Sequence, residues 1–350
     1  MRLIFAIAVW FVMGFTTTAN AGVTNSLMNP LCPAIATGIP ASAQTTGFVK
    51  LASGRSLYTH YVKPAPGQPT IVLVNGLTYR IGCWDAFVHE LHGEGYGILR
   101  YDPMGHGETL RKYSKKIEAI DYEDQTEDLL QLLDALKLQT AHLVGLSYGG
   151  GIGFDFASKH PERVATLIAM APFVAPIPWQ DKYLQLQVEQ TRLLNPFLTW
   201  SDDEIYDWYL RRFVYSTYPS YEPIVLETPH KLEATFRLVQ GIRKFHVVDI
   251  LHKLPQGKLH LVLAGDDTYV PKDMHEKFWS SIPKGVAASR LTIAGAGHKI
   301  PELEPQFSAR WVKEIVRGNP KLSQGRQFTG QPWTGKATAG SVVVDGLGGR

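Results

Sequence analysis

Cysteine is scarce in this chain, and long apolar runs are almost absent. Two cysteines in 350 residues exclude a small scaffold held together by disulfides. No heptad and no G-X-Y period runs through the sequence, which excludes a coiled coil and a collagen. The formal net charge is only +3, so nucleic-acid binding is not expected. The apolar fraction of 45% is high enough for a packed core, which excludes a wholly disordered chain.

The N-terminus contains the longest apolar run. Arg2 gives it a positive start, and Leu3–Phe15 is too short to span a bilayer comfortably. The sequence Ala-Asn-Ala at 19–21 then provides the small residues of a cleavage site. The pattern predicts a signal peptide over residues 1–21, an N-terminal extension over 22–45, and a periplasmic or secreted protein without a membrane span. An uncleaved anchor is the alternative.

Export gives the two cysteines a possible role. In an oxidising compartment Cys32 and Cys83 can form a disulfide, and the chain offers neither of them another partner. Two unpaired thiols are the alternative, because a sequence does not show whether the two residues lie within bridging distance.

Strands and helices alternate along the middle of the chain. The β-branched run Thr70–Val74 predicts a strand buried on both faces, and a helical pattern follows it. Residues 46–172 and 246–317 are therefore predicted to form an α/β core with a mostly parallel twisted sheet and helices on both faces. Further strands are predicted at 97–101, 141–144, 164–170, 259–264 and 290–293, and a hairpin at 48–62.

Two segments depart from this alternation. Residues 173–245 contain no buried-strand run but hold 14 of the 38 aromatic residues. We expect them to form a helical cap that roofs an apolar pocket; the alternative is a set of ordinary helices packed on the sheet.

Residues 318–350 are rich in Gly, Ser, Thr and Gln, so a poorly ordered tail is expected there, with a docking strand as the alternative.

A G-x-S-x-G sequence connects a predicted strand to a predicted helix, with Ser147 at its centre. Such a turn exposes the serine hydroxyl at the carboxyl end of the sheet, where it can act as a nucleophile. A serine hydroxyl needs a base, and His298 follows the last predicted strand at the same edge. The histidine in turn needs an acid to orient it, and Asp266 and Asp267 are both candidates.

Catalysis by such a serine also needs two backbone N–H groups directed at the developing oxyanion. Tyr148, at the start of the following helix, is the first candidate donor, and Leu77, in the loop after Thr70–Val74, is the second. No cofactor and no metal are expected. The sequence His89-Glu90-Leu91-His92 lacks the spacing of a zinc-binding H-E-x-x-H helix, and we interpret it as a helix face.

The order of these motifs resembles the α/β-hydrolase superfamily in its capped, serine-nucleophile form. The resemblance covers residues 46–317. Val74-Asn75-Gly76 resembles the family's His-Gly, with asparagine in place of histidine, and the sequence DPMGHG at 102–107 resembles its D-x-x-G-x-G turn. The resemblance implies that Asp267, four residues before Pro271, is the triad acid rather than Asp266.

Some members of the superfamily have an aspartate at the position of Ser147 and carry out other chemistry. The serine here favours acyl transfer instead. We expect an exported carboxylic-ester hydrolase that acts on a small, partly apolar acyl compound. A carbon–carbon bond hydrolase is one alternative. An amidase or aminopeptidase is another, in which the acidic cap residues at 202–204 could hold an amine, although a solvated helix start explains them as well. A non-catalytic ligand-binding module is the alternative from another class. The substrate and the oligomeric state do not follow from the sequence.

Overall fold

The computed structural model describes residues 32, 36–113, 120–217, 231–318, 326–329 and 343–349. The predicted signal peptide and much of the extension at 22–45 lie outside these residues. Within the described ranges, no helix is both long enough and apolar enough to cross a membrane.

The described strands form one sheet in the order β1-β2-β4-β3-β5-β6-β7-β8-β10-β9. The strands from β4 across to β8 are parallel, and β1, β2, β9 and β10 add antiparallel edges. The predicted class, a mostly parallel α/β sheet, is confirmed. The strands are β1 Gln44–Lys50, β2 Ser56–Val62, β3 Thr70–Val74, β4 Gly97–Asp102, β5 Ala141–Leu146, β6 Val164–Met170, β7 Leu259–Ala264, β8 Ala287–Ile293, β9 Arg326–Thr329 and β10 Val343–Gly348.

Helices cover the sheet because every residue of β3, β4 and β7 is buried, so both faces of these strands need apolar partners. The helices are α1 Asp85–Leu91, α2 Gly107–Tyr113, α3 Tyr122–Ala135, α4 Tyr148–Lys159, α5 Pro178–Leu194, α6 Asp202–Thr217, α7 Lys231–Ile242, α8 Lys272–Ser281, α9 Ile300–Leu303 and α10 Pro305–Val316. Short 3-10 turns lie at Ala41–Ala43, Ile81–Trp84, Pro161–Arg163 and Val247–Lys253.

The segment between β6 and β7 contains the helices α5, α6 and α7. These helices share a small apolar core of their own, whose buried members are Leu184, Val188, Ile205, Tyr206, Leu210, Val214 and Phe236. Helix α7 also reaches the main core through Leu238 and Ile242. The methyl groups of Leu238 lie 3.2 Å from where a Cβ on Gly105 would be, so the insertion contacts the loop that follows β4.

The described residues after Gly318 correct the expectation of a poorly ordered tail. Strands β9 and β10 form an antiparallel pair, and β10 pairs with β8 from Val344 opposite Ile293 to Gly348 opposite Ser289. The composition of the segment indicated disorder, but β8 presents an edge whose backbone groups need partners. The β-branched Val343 and Val344 favour the strand that supplies them. Among the described residues, the pairing of β10 with β8 fits the alternative of a docking strand.

Neither cysteine of the chain is a free thiol. Cys32 and Cys83 are both disulfide-bonded, and they are the only two cysteines in the sequence. Of the two alternatives that the sequence leaves open, the structure has the disulfide.

Three histidines of the sheet, His60, His142 and His260, are held neutral, and they make stability depend on pH. Burial lowers the pKa of His142 and of His260 to about 4, and for His260 the charge of His142 adds to the effect. The unfolded chain takes up these protons near pH 6.5. Because the unfolded state binds more protons than the folded state between pH 4 and pH 6.5, we expect the free energy of unfolding to fall as the pH drops through that range.

Replacing His260 by glutamine is expected to remove part of this acid sensitivity, by up to roughly 3 kcal/mol between neutral pH and pH 4. The amide can keep a hydrogen bond with Ser289, whose Oγ lies 2.7 Å from His260 Nδ1. Urea unfolding of both proteins at the two pH values measures the effect. The raised pKa of Asp102 has the opposite effect, because it increases the free energy of unfolding as the pH falls, but this effect is the same in both proteins. His252→Gln, at an exposed position, is the control, and equal pH dependence in all three proteins would refute the assignment.

Candidate active site

Ser147 forms a one-residue turn between β5 and α4. Its backbone has φ 51° and ψ −113°, a conformation that is costly for a residue with a side chain. Two hydrogen bonds join it to the end of β6 and the residues after it: the Ser147 N–H donates to the Met170 carbonyl at 2.9 Å, and the Ser147 carbonyl accepts from the Phe173 N–H at 2.9 Å. The end of β6 therefore fixes the turn that presents the hydroxyl.

Glycines beside Ser147 let three backbone segments meet. A Cβ on Gly145 would lie 2.4 Å from the Gly149 carbonyl oxygen, and a Cβ on Gly149 would lie 2.2 Å from the Val74 carbonyl oxygen. These atoms belong to the backbone and cannot rotate away as a side chain would. The first turn of α4 consequently lies directly against the end of β3 and the loop that carries Leu77.

We expect Gly149→Ala to destabilise the protein by about 1–3 kcal/mol or more, because its methyl group would overlap the backbone of β3. Gly82→Ala is the matched control, since its nearest described neighbour would be an Asp85 carboxylate oxygen at 3.7 Å. Urea unfolding of both variants tests the prediction. A Gly149→Ala protein as stable as Gly82→Ala would contradict the close packing.

His298 and Asp267 form a hydrogen-bonded pair at the carboxyl edge of the sheet. The Nδ1 atom of His298 lies 2.8 Å from Oδ2 of Asp267, and the Asp267 side chain is 1% exposed. The other carboxylate oxygen, Oδ1, accepts the backbone N–H groups of Tyr269 and Val270, both at 2.8 Å. The ring of Tyr269 packs 4.9 Å from the imidazole. The carboxylate is thus fixed at both oxygens, and it fixes the histidine ring in turn.

The two neighbouring aspartates differ in their surroundings. Asp266 is exposed, and its backbone N–H donates to the Ala296 carbonyl at 3.0 Å, which ties the two loops together. Burial alone would raise the pKa of Asp267, but the hydrogen bond and charge of His298, together with two backbone amides, lower it below the usual range. Of the two candidates, Asp267 is the one in contact with His298.

Because Asp267 binds Nδ1, the other ring nitrogen, Nε2, is the atom through which His298 can exchange a proton with a substrate or with Ser147. Among the described residues, no hydrogen bond joins the Ser147 hydroxyl to His298. Such contacts often form only when a substrate is bound.

The two predicted amide donors lie on segments that the glycines bring together. Tyr148 begins α4, so its N–H points out at the positive end of the helix. Leu77 lies in a turn closed by the Tyr79 N–H, which donates to the Gly76 carbonyl at 3.0 Å, with Thr78 at φ 68°. Within the described ranges, neither the Leu77 N–H nor the Tyr148 N–H donates a backbone hydrogen bond. Both are therefore available to donate to an oxygen atom of a bound molecule.

Asp102, which the sequence pattern does not single out as a functional residue, is central to the loop containing Leu77. Its carboxylate accepts hydrogen bonds from Asn75 Nδ2 at 3.1 Å and from the Ile81 N–H at 2.9 Å, and Asn75 Oδ1 accepts the Trp84 indole N–H at 2.8 Å. Burial raises the pKa of Asp102 to about 6. Asn75, which departs from the family's histidine, therefore anchors the loop from within the core. The D-x-x-G-x-G motif was the signal that could have revealed this contact.

The acidic residues of the insertion have structural partners. Ser201 and Glu204 cap the start of α6, with the Glu204 N–H donating to Ser201 Oγ at 3.2 Å and Glu204 Oε2 accepting from the Ser201 hydroxyl at 2.9 Å. Asp202 accepts from Arg192 at 2.7 Å, and Asp203 accepts from Lys244 at 3.1 Å. These contacts favour the solvated helix start over an amine-binding site.

An apolar cavity of about 480 Å³ lies beside the insertion. The segment after β6, the start of α5 and the helix α8 form its walls, and neither Ser147 nor His298 lines it. Asp273 and Lys277 provide polar groups in its lining. Its apolar lining includes Val174, Ala175, Pro178, Trp179, Met274 and Phe278.

Comparison with known proteins agrees with this architecture. A chain from Caulobacter segnis with the name "Putative carbamate hydrolase RutD" is 22% identical over 271 residues, which cover 73% of this chain and 94% of that one. Rhodomycin D methylesterase DauP of Streptomyces sp. (strain C5) is 33% identical over 106 residues, 30% of this chain and 35% of that protein. The crystal structure of a membrane phospholipase A covers 90% of this chain and 96% of its own, with a TM-score of 0.57 and 19% identity.

The model of the alpha/beta hydrolase family matches residues 71–311, which is more than half of the chain and includes Ser147, Asp267 and His298. The sequence relatives named above are hydrolases. This protein is a hydrolase that belongs to the alpha/beta hydrolase family.

Proposed function

We propose that this hydrolase is an exported serine enzyme that cleaves carboxylic esters through an acyl-enzyme intermediate. Ser147 is the nucleophile, His298 the general base and acid, and Asp267 the residue that orients His298. The observation that carries the proposal is the 2.8 Å contact between His298 Nδ1 and Asp267 Oδ2, at the sheet edge where Ser147 forms its strained turn.

In the first half of the reaction, Ser147 Oγ attacks the carbonyl carbon of the ester while its proton passes to Nε2 of His298. The carbonyl oxygen becomes an oxyanion that accepts hydrogen bonds from the N–H groups of Leu77 and Tyr148. When the tetrahedral intermediate collapses, His298 gives its proton to the departing alkoxide. An alcohol leaves, and the acyl group stays on Ser147.

In the second half, a water molecule takes the place of the alcohol. His298 Nε2 accepts a proton from the water, whose oxygen attacks the acyl carbon, and the oxyanion again forms against Leu77 and Tyr148. Collapse returns the proton to Ser147 Oγ and releases a carboxylic acid. Asp267 stays ionised throughout, which its lowered pKa supports, and it stabilises the imidazolium in both halves.

The ester preference is supported by the nature of the site and by the relatives. A serine with two amide donors and a histidine–aspartate pair at the same sheet edge fits acyl transfer, and one relative is named a methylesterase. A carbamate, the substrate class in the name of another relative, offers the same carbonyl with a nitrogen attached. We expect a small, partly apolar acyl compound, and ester over amide because an alkoxide leaves more readily than an amide anion.

Export is supported by two independent features. The sequence at 1–21 has the pattern of a signal peptide, and Cys32 and Cys83 are disulfide-bonded. Structural disulfides persist in the periplasm and outside the cell but are rare in the reducing cytosol. Both features fit a periplasmic or secreted enzyme.

Labelling with a fluorophosphonate tests the proposal directly, because the probe phosphonylates only an activated serine. We expect one adduct per chain by intact mass, located on the peptide that contains Ser147, and none in Ser147→Ala. A series of nitrophenyl esters of increasing acyl length, with the matching anilides, then measures the preference for ester and for chain length. An unlabelled wild-type protein would favour a ligand-binding module, and faster turnover of anilides would favour an amidase.

A further inference from the structure

Helix α5 carries apolar side chains on a face that remains largely exposed, although the ring of Trp179 at its start lies 6.2 Å from that of Phe213. Trp179, Tyr183, Leu186 and Leu193 recur at helical spacing along one side, and they are 59%, 40%, 42% and 80% exposed. The opposite side of the same helix buries Leu184 and Val188 in the core of the insertion. The helix is therefore apolar on two faces, and only one of them is used in folding.

The exposed face ends in a hairpin tip, which we define as Leu193 and Leu194 at the end of α5 together with Phe197 and Trp200 in the turn before α6. Phe197 is 94% exposed and Leu194 is 71% exposed. Side chains of this size rarely remain so exposed in a soluble domain unless they meet another surface.

The tip is held in place by its own polar contacts. Arg192 donates to Asp202 Oδ1 at 2.7 Å, to the Leu198 carbonyl at 3.0 Å and to the Trp200 carbonyl. The Leu198 N–H also donates to the Asn195 carbonyl at 3.0 Å. Arg192 thus connects the end of α5 to the turn and to the start of α6, which holds the apolar side chains in a defined arrangement. A partner therefore need not order the turn on binding.

The charges around the tip indicate which kind of surface it meets. Between residues 179 and 210 the basic residues are Lys182 and Arg192, whereas four acidic residues are exposed: Glu189, Asp202, Asp203 and Glu204. Arg192 pairs with Asp202, and an excess of acidic groups remains. An acidic rim opposes anionic lipids but complements a zwitterionic surface whose outermost group is a quaternary ammonium. The rings of Trp179 and Trp200 suit the same surface, because tryptophan favours the membrane interface and its π-face attracts such cations.

We propose that the tip and the exposed face of α5 dock on a lipid surface of zwitterionic headgroups, with Leu193, Leu194 and Phe197 inserted below the headgroups. The contact is peripheral: the apolar side chains enter the interface, and no helix among the described residues is long and apolar enough to span the bilayer. This surface lies outside the proposed catalytic residues, so the inference does not depend on the proposed function.

Co-sedimentation of the full chain with phosphatidylcholine vesicles tests the inference. We expect wild type to bind, and Leu193→Ser/Leu194→Ser/Phe197→Ser to lose at least about tenfold in partition coefficient. Phe48→Ser, which removes an apolar side chain that is 44% exposed on β1, is the matched control and should bind like wild type. Because binding is apolar, added salt should not release the protein, and replacing part of the lipid with phosphatidylglycerol should weaken binding.

The urea midpoint of the triple variant checks that it folds, and Phe197→Ser alone serves if the triple variant does not. Three outcomes would overturn the inference. The first is no binding of wild type to phosphatidylcholine, and the second is equal binding by wild type and the folded tip variants. The third is a wild-type dimer that the tip variants abolish, which would assign the surface to a second copy of the chain. Stronger binding to anionic vesicles would refute the choice of a zwitterionic surface.

Discussion

Ser147→Ala is expected to lower kcat for ester hydrolysis by about four to six orders of magnitude, because it removes the atom that forms the acyl-enzyme. The residual rate comes from binding of the substrate and from the amides of Leu77 and Tyr148, which can still stabilise the transition state when water attacks the ester directly. The strained backbone at φ 51° already carries a Cβ in wild type, so alanine adds no new strain.

Pre-steady-state measurement with a nitrophenyl ester gives the sharpest readout for Ser147→Ala. Wild type should release a burst of nitrophenol as the acyl-enzyme accumulates, and the variant should show no burst and only the residual turnover. Ser158→Ala is the matched control, because its hydroxyl lies on the same helix and donates only to the Asp155 carbonyl, at 2.8 Å. A variant at Ser147 that keeps the burst would remove this residue from the mechanism.

Asp267→Asn is expected to lower kcat by about 10⁴-fold while leaving KM nearly unchanged. The amide oxygen can still accept the N–H groups of Tyr269 and Val270, which now bind Oδ1 at 2.8 Å. The amide nitrogen then faces His298 Nδ1 as a donor. His298 must carry its proton on Nε2 to match, and in that tautomer it cannot accept the proton of Ser147.

The neighbouring Asp266 supplies the control for this experiment. Asp266 is exposed, and the hydrogen bond that it makes to Ala296 is donated by its backbone N–H and not by its side chain. Asp266→Asn should therefore change kcat by no more than about twofold. Steady-state kinetics of both variants on one ester decide between the two aspartates. A large loss in Asp266→Asn with normal rates in Asp267→Asn would reverse the assignment.

Three of the strands inside the sheet were predictable to the residue. The predicted ranges of β3, β6 and β7 agree with the structure because a strand between two helical layers is one continuous apolar run. The position of Ser147 between a strand and a helix was also predictable, because the sharp turn requires glycines at fixed positions in the local sequence.

Features that depend on distant partners could not be predicted from local pattern. Helix α2 begins inside the turn that follows β4, where the Glu108 N–H donates to Asp102 Oδ2 at 3.0 Å, a cap supplied by the preceding strand. The selection of Asp267 over Asp266 rested on resemblance, because only the folded loop shows which carboxylate meets His298. Strands β9 and β10 required an unpaired edge that the composition of their segment does not reveal.

The antiparallel pair at the end of the sheet bears on how the folded protein behaves at high concentration. Without β10, the edge of β8 would expose a row of backbone donors and acceptors that another molecule could extend into a shared sheet. The outermost strand is instead β9, which has only four residues and offers a poor template for such growth. The loop with His298 begins directly after β8, so β10 also keeps other protein molecules from pairing with the strand that positions the contact between His298 and Asp267.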